Sequence, residues 1–260
     1  MKNFLVKVVK KYIDARVRVY ASSATFYILV STIPVIALLF YGISSLSPHL
    51  SHELERFIAS LMPGGLADSF YEIMESIKER ELSSLVPFSI ITSIWGSTKG
   101  INGVCHGVES IYGTKKSAGF LKRAVRTVWR GMIFFSLIFI SVVVLSLGRI
   151  IYSSSQSVQM SILIELRIVA FILALTLFFS AFYARLGRGR LSQHLFGGLF
   201  SALGWTMFTY FYSIYVSYSL STVNIYSGTG GAILYMLWSY FCVNIILIGA
   251  VINDVIREKY

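Results

Sequence analysis

No Asp, Glu, Lys or Arg occurs between residues 191 and 253, a run of 63 residues. A hydrocarbon core ~30 Å thick takes about 20 apolar helical residues to cross, so this stretch is long enough for two crossings. Four charge-free runs precede it, at residues 19–52, 82–98, 131–148 and 168–184, each long enough for about one crossing. The pattern predicts an all-α polytopic membrane protein with six transmembrane helices. Spans are expected at about residues 21–46, 82–98, 129–151, 163–184, 193–216 and 230–252, with residues 1–260 forming a single integral membrane domain. The balance of 55% hydrophobic and 13% charged residues is too apolar for an ordinary water-soluble domain. Basic residues precede the first apolar run as in a signal peptide. That run extends to His52, too far for a cleaved segment, so an uncleaved first span is expected.

The net charge of +11 invites a nucleic-acid reading, and the placement of the basic residues argues against it. With the N-terminus in the cytoplasm, 18 of the 23 Lys and Arg residues fall on cytoplasmic segments, the distribution that orients membrane proteins. Both termini are therefore expected in the cytoplasm, in a bacterial inner (cytoplasmic) membrane. The partners expected are membrane lipids, including anionic lipids at the basic face, and not nucleic acid. Cys105 and Cys242, in a cytoplasmic segment and the last span, offer no disulfide framework.

Residues 50–81 form the one sizeable outer segment. Leu50, Leu54, Phe57, Ile58 and Leu61 recur at helical spacing, as do Leu66, Phe70, Ile73, Met74 and Ile77 after the Pro63-Gly64-Gly65 break. An amphipathic helical hairpin on the outer side is predicted, with seven of the chain's 12 acids toward water.

Within the spans, Pro34 should kink span 1, whose first half is rich in hydroxyls including Ser31. Span 2 is diluted by Pro87 and by the glycines of residues 96–103, which leaves a continuous or a broken helix open. Beyond it, Lys99, Asn102, His106 and Glu109 share one face of an interfacial helix ending near Tyr112-Gly113. Gly197, Gly198, Ser201 and Gly204 open span 5 with small residues that permit close helix contact. Tyr210, Tyr212, Tyr215 and Tyr218 then supply an aromatic belt or a polar lining. Gly228, Gly230 and Gly231 mark the turn into span 6, and Asn244 lies deep within its apolar run.

The chemistry these residues can support is narrow. A hydrolytic nuclease needs clustered acids or histidines, and His49, His52 and Glu53 form the only tight group, without further ligands at diagnostic spacing. No catalytic residue, metal or cofactor is expected, so the chain is not read as an enzyme. Ion-coupled transporters bury ionisable groups at mid-depth, and here only Asn244, Tyr210, Tyr212 and the hydroxyls of span 1 offer polarity there.

Several of these segments together resemble the YihY/virulence factor BrkB family of bacterial integral membrane proteins. They are Tyr27, Ser31 and Pro34 in ATFYILVSTIP; Trp95 and Lys99 in WGSTKG; Tyr112-Gly113; and the stretch beginning at Tyr226 in YSGTGGAILYMLWSYFCVNIILIGAVIND. The resemblance covers nearly the whole chain and implies six helices in the cytoplasmic membrane. Family members have carried a "ribonuclease BN" label, and some have been linked to export of lipid A-type lipids. One departure concerns the last span: where the family often has an acidic residue after a Gly-Ala pair, this chain has Val251.

The leading expectation is a protein that binds or transports a lipid or other amphiphile, without a buried ion-coupling site, through a cleft among spans 1, 2, 5 and 6. The alternative is a non-transporting scaffold or envelope-organising protein acting through the 50–81 hairpin.

Overall fold

The computed structural model describes residues 2–46, 86–114, 158–187, 189–222 and 229–258, with isolated positions 52, 53, 55, 56, 59, 71 and 75. The expected third span and the course of the 50–81 hairpin lie outside the described residues. Six α-helices carry what is described: α1 (Lys2–Asp14), α2 (Val17–Leu46), α3 (Val86–Ile111), α4 (Val158–Gly187), α5 (Leu195–Thr222) and α6 (Thr229–Arg257). A single 3-10 turn, Leu191–His194, stands between α4 and α5. No strand occurs among the described residues.

Among the described residues, two helices are long and apolar enough to cross a membrane, over Val17–Leu38 and Gly231–Arg257. Their 22 and 27 residues correspond to about 33 and 40 Å at ~1.5 Å per residue, sufficient for the hydrocarbon core. Phe171–Gly187 and Leu191–Val216 pass the same test as a pair bent by 109°. Large apolar side chains point outward along these helices, among them Phe26, Ile33, Leu173, Phe196, Met207 and Ile233. Such faces cost free energy in water and none in lipid, which is why a membrane bundle carries them.

The chain divides into two compact units. One comprises Met1–Tyr20, Val104–Thr206 and Asn244–Tyr260, and the other Ala21–Gly103 and Met207–Val243. In the first unit, α1 ends where Ala15 and Arg16 donate back to Lys11 and Ile13, and Arg16 takes a left-handed conformation with φ of 52°. The chain restarts as α2 when Val19 and Tyr20 donate to the Arg16 carbonyl. The end of α3 belongs to this unit too. Gly113 adopts φ of 65° there, its N–H donating to Ser110 and that of Thr114 to Glu109, the paired bonds of a Schellman cap.

In the second unit, α2 and α3 meet through small residues. A methyl group added at Gly96 would lie 2.8 Å from Ser31 Cβ, at Gly100 2.9 Å from Ile28 Cγ1, and at Gly103 3.0 Å from Ala24 Cβ. Glycine at these three places lets the two helices approach closely, the arrangement that drives helix association where burial of apolar surface supplies no force. This corrects one expectation and answers a question the sequence leaves open. The segment expected as span 2 followed by a separate interfacial helix is one continuous helix, Val86–Ile111, and the glycines that dilute its hydropathy are its contact surface. The helix ends where expected, at Tyr112-Gly113.

Candidate functional site

Three helices of the first unit converge on a polar knot made of side chains distant in sequence. α4 contributes Ser180 and Tyr183, α5 contributes Gly197, Gly198 and Ser201, and α6 contributes Gly249 and Asn253. Fully buried Tyr183 donates to the Ile246 carbonyl at 2.6 Å and shares a 2.7 Å hydrogen bond with the Ser201 hydroxyl. Ser201 in turn reaches the Ile245 carbonyl at 3.3 Å. Asn253, also fully buried, spans two elements: its Oδ1 accepts from Gly197 N–H at 2.7 Å, and its Nδ2 donates to the His194 carbonyl at 3.2 Å. That carbonyl also accepts from Ser180 Oγ at 3.3 Å.

The first four N–H groups of a helix have no partner within it. At α5, Asn253 supplies one from another helix, so the bend between α4 and α5 is fixed by a tertiary contact. Close approach is obligatory here. A methyl group at Gly197 would lie within bonding range of the Gly249 carbonyl, and one at Gly198 would lie 2.8 Å from the Thr176 carbonyl. The expectation that Gly197, Gly198 and Ser201 permit close helix contact is met.

His194 sits at the rim of this knot with no exposed surface. Its Nδ1 shares a 3.2 Å hydrogen bond with the Tyr112 hydroxyl, and its Nε2 has no partner among the described residues. Arg257 lies over the Tyr112 ring at 5.7 Å and donates to the Gly187 carbonyl at 3.1 Å, while Thr114 donates to Leu186 at 2.9 Å. Burial holds the Tyr112 phenol above its ordinary range, so it remains a neutral hydroxyl able to donate. The end of α4 is thus gripped by the ends of α3 and α6.

α1 joins the same unit through a second clasp. Lys11 pairs with Asp254 at 2.6 Å and Glu258 at 3.2 Å, and Tyr12 donates to Asn244 Oδ1 at 2.8 Å. Burial opposes the Lys11 charge, but the hydrogen bonds and charges of Asp254 and Glu258 outweigh it and raise the ammonium above its ordinary 10.5. A raised folded-state value means the stabilisation is complete below 10.5 and is lost only as pH climbs through the higher value. Lys11→Met is therefore expected to cost about 1 kcal/mol, equally at neutral and mildly acidic pH, in thermal unfolding of the detergent-solubilised protein.

The second unit holds a seam of hydroxyls and aromatic rings. Thr32 Oγ1 bonds the Ile28 carbonyl at 2.7 Å and lies 3.1 Å from the Tyr235 hydroxyl. Trp238 donates to Thr209 at 3.3 Å, and Tyr212 donates to the Leu234 carbonyl at 2.6 Å. Thr25, Ser93 and Thr98 are buried with hydroxyls that find no hydrogen-bond partner among the described residues. Leaving such a group unmet costs about 1–3 kcal/mol, a penalty that packing alone does not require.

The sequence-selected residues distribute unevenly. Tyr27, Ser31 and Trp95 come together across α2 and α3: Tyr27 meets the Trp95 ring edge-on at 5.3 Å, and Ser31 bonds the Ile28 carbonyl while its Cβ faces Gly96. Pro34 lies half-buried within the uninterrupted α2, Lys99 is exposed, and Gly230 and Gly231 fall in the first turn of α6. Tyr210 is 65% exposed on the outward face of α5 and does not line an interior. Tyr212 points inward. Asn244 is engaged by Tyr12 within the first unit, and Tyr226 and Gly228 lie outside the described residues. Tyr183, His194, Asn253 and Tyr12 are polar anchors that spacing alone does not single out. Among the described residues, no three His, Cys, Asp or Glu side chains are grouped to hold a metal ion.

Long apolar helices with outward-facing aliphatic surfaces, joined by glycine contacts and buried hydroxyl bonds, define an all-helical membrane protein. The chain belongs to the virulence factor BrkB family, whose family model matches residues 8–260. It is 23% identical over 203 residues to the ribonuclease-like protein YfkH of Bacillus subtilis (strain 168), covering 74% of each chain. No solved structure matches it.

Proposed function

We propose that this BrkB-family protein binds a lipid or another amphiphile within the second unit and carries its polar end across the membrane. The observation behind the reading is the trio of buried hydroxyls at Thr25, Ser93 and Thr98, which find no partner among the described residues. A polar group of a ligand, entering between helices while its tails stay in lipid, would meet them with neutral hydrogen bonds. Tyr27, Ser31, Trp95 and Tyr212 are the neighbouring site residues in this reading, and membrane lipids are its partners. Six spans with both termini in the cytoplasm of a bacterial cell complete the architecture in this reading. No hydrolytic step is part of the reading, and the ribonuclease-like name of YfkH stays with YfkH.

The test is a Thr25→Val, Ser93→Ala, Thr98→Val triple variant. Removing hydroxyls that bond nothing leaves thermal stability unchanged or raises it by about 1–3 kcal/mol, as expected where a site's polarity is kept at the expense of stability. Lipid retained by the purified protein, measured by native mass spectrometry, should fall at least about ten-fold for a loss of ~1.4 kcal/mol or more of binding. Movement of labelled lipid between leaflets of reconstituted vesicles should fall with it. Wild-type protein that retains no lipid, and moves none faster than empty vesicles, would overturn the proposal.

A further inference from the structure

We infer that α1 is an interfacial helix that lies in the headgroup layer of an anionic leaflet and fixes the first unit to the membrane surface. The inference rests on membrane residence and not on lipid carriage. Three sectors run along this helix. Lys11, Tyr12 and Ala15 face the protein, where Lys11 and Tyr12 are held by Asp254 and Asn244. Leu5, Val6, Val9 and Ile13 form a second sector, each between 57% and 65% exposed, along a shallow groove of about 460 Å³. Lys7, Lys10 and Asp14 are exposed on a third.

A soluble protein would leave a four-residue aliphatic stripe on a short terminal helix at a cost near 25 cal/mol per Å² of apolar surface. Two-residue continuity with α2 settles which surface is at hand. α1 stops at Asp14 and the candidate span starts at Val17, so the stripe cannot lie far from the membrane boundary. The charges choose among surfaces. Lys7, Lys10, Arg16 and Arg18 are exposed on and beside α1 against two exposed acids, Asp14 and Glu258, the second of them paired with Lys11. Aliphatic side chains flanked by cations match an anionic leaflet, where the stripe enters the acyl boundary and the cations meet the negative surface. The clasp on Asn244 and Asp254 fixes the rotation of the helix, so the stripe is presented outward without further ordering.

Full-length protein in lipid nanodiscs provides the test, with spin labels at Val9→Cys or Asp14→Cys; the native Cys105 and Cys242 are buried. In discs containing phosphatidylglycerol, a water-soluble nickel relaxer should reach position 9 at least about ten-fold less than position 14, and oxygen should show the reverse order. Equal nickel access at the two positions would overturn the inference. Protection of position 9 that vanishes when each disc holds one copy would place a second copy on the stripe, and would overturn it equally. Lys7→Glu with Lys10→Glu should abolish the gain in protection between phosphatidylcholine discs and phosphatidylglycerol discs. Persistence of that gain would refute the anionic preference. Elution and tryptophan fluorescence unchanged from wild type establish that each variant is folded, and none of these readouts depends on lipid movement.

Discussion

A Gly249→Ala variant is expected to lose at least about 3 kcal/mol of stability, the upper end of what overpacking a tight contact costs. The added methyl would run into Ser201 Oγ and lie 2.7 Å from the Gly197 carbonyl and 2.9 Å from the Tyr183 hydroxyl. Two of these neighbours are themselves fixed, since Ser201 and Tyr183 are bonded to each other and to the α6 carbonyls of Ile245 and Ile246. Turning Ser201 aside would break the hydroxyl pair and still leave the Gly197 carbonyl 2.7 Å from the methyl, so full relief requires moving a helix backbone. Thermal unfolding in detergent should show a drop of about 2–4 °C per kcal/mol. Gly42→Ala is the control, because nothing lies within 4 Å of an added methyl there. Equal melting temperatures for the two variants would show that α5 and α6 do not meet at Gly249.

The contrast between those glycines explains what sequence reading can and cannot see. Charge exclusion is a one-dimensional signal: a carboxylate or ammonium at mid-depth costs about 2.5–3.5 kcal/mol wherever it stands, so the membrane helices can be read from runs without charge. Glycine carries two meanings that composition does not separate. In α3 the glycines lower hydropathy and suggest a break, yet at Gly96, Gly100 and Gly103 they form the face that meets α2. In α5 the same residue type reads correctly as a contact surface, because Gly197, Gly198 and Ser201 sit together in an otherwise bulky run. Side-chain direction is another property that spacing leaves open. Tyr210 and Tyr212 are two residues apart, and about 200° of rotation on a helix sends one outward and the other to the Leu234 carbonyl. Tyr183 and Asn253 were hidden for a stronger reason. Their partners are backbone carbonyls and amides, which every residue possesses, so no motif marks them.

Asn253 should be the least replaceable polar side chain of the knot, with Asn253→Ala expected to cost about 2–4 kcal/mol. Its amide meets a donor and an acceptor at once, taking Gly197 N–H on one atom and giving to the His194 carbonyl with the other, across 56 and 59 positions of chain. Alanine would leave the Gly197 amide at the start of α5 without its bond. The His194 carbonyl would fare better, since Ser180 Oγ also reaches it at 3.3 Å. Asn253→Asp separates these contributions. Aspartate preserves the bond from Gly197 N–H, and at about pH 8 its second oxygen meets the His194 carbonyl either as a charge with no surface for hydration or as a donor that must first take up a proton, both at a cost in stability. If the two-sided bond fixes the bend between α4 and α5, Asn253→Asp should unfold at a lower temperature than Asn253→Ala, despite being closer to asparagine in shape. If the Gly197 bond alone mattered, aspartate would rescue what alanine loses. A melting temperature for Asn253→Asp at or above that of Asn253→Ala would therefore remove the His194 carbonyl from the account and leave the bend to be set by packing at Gly198.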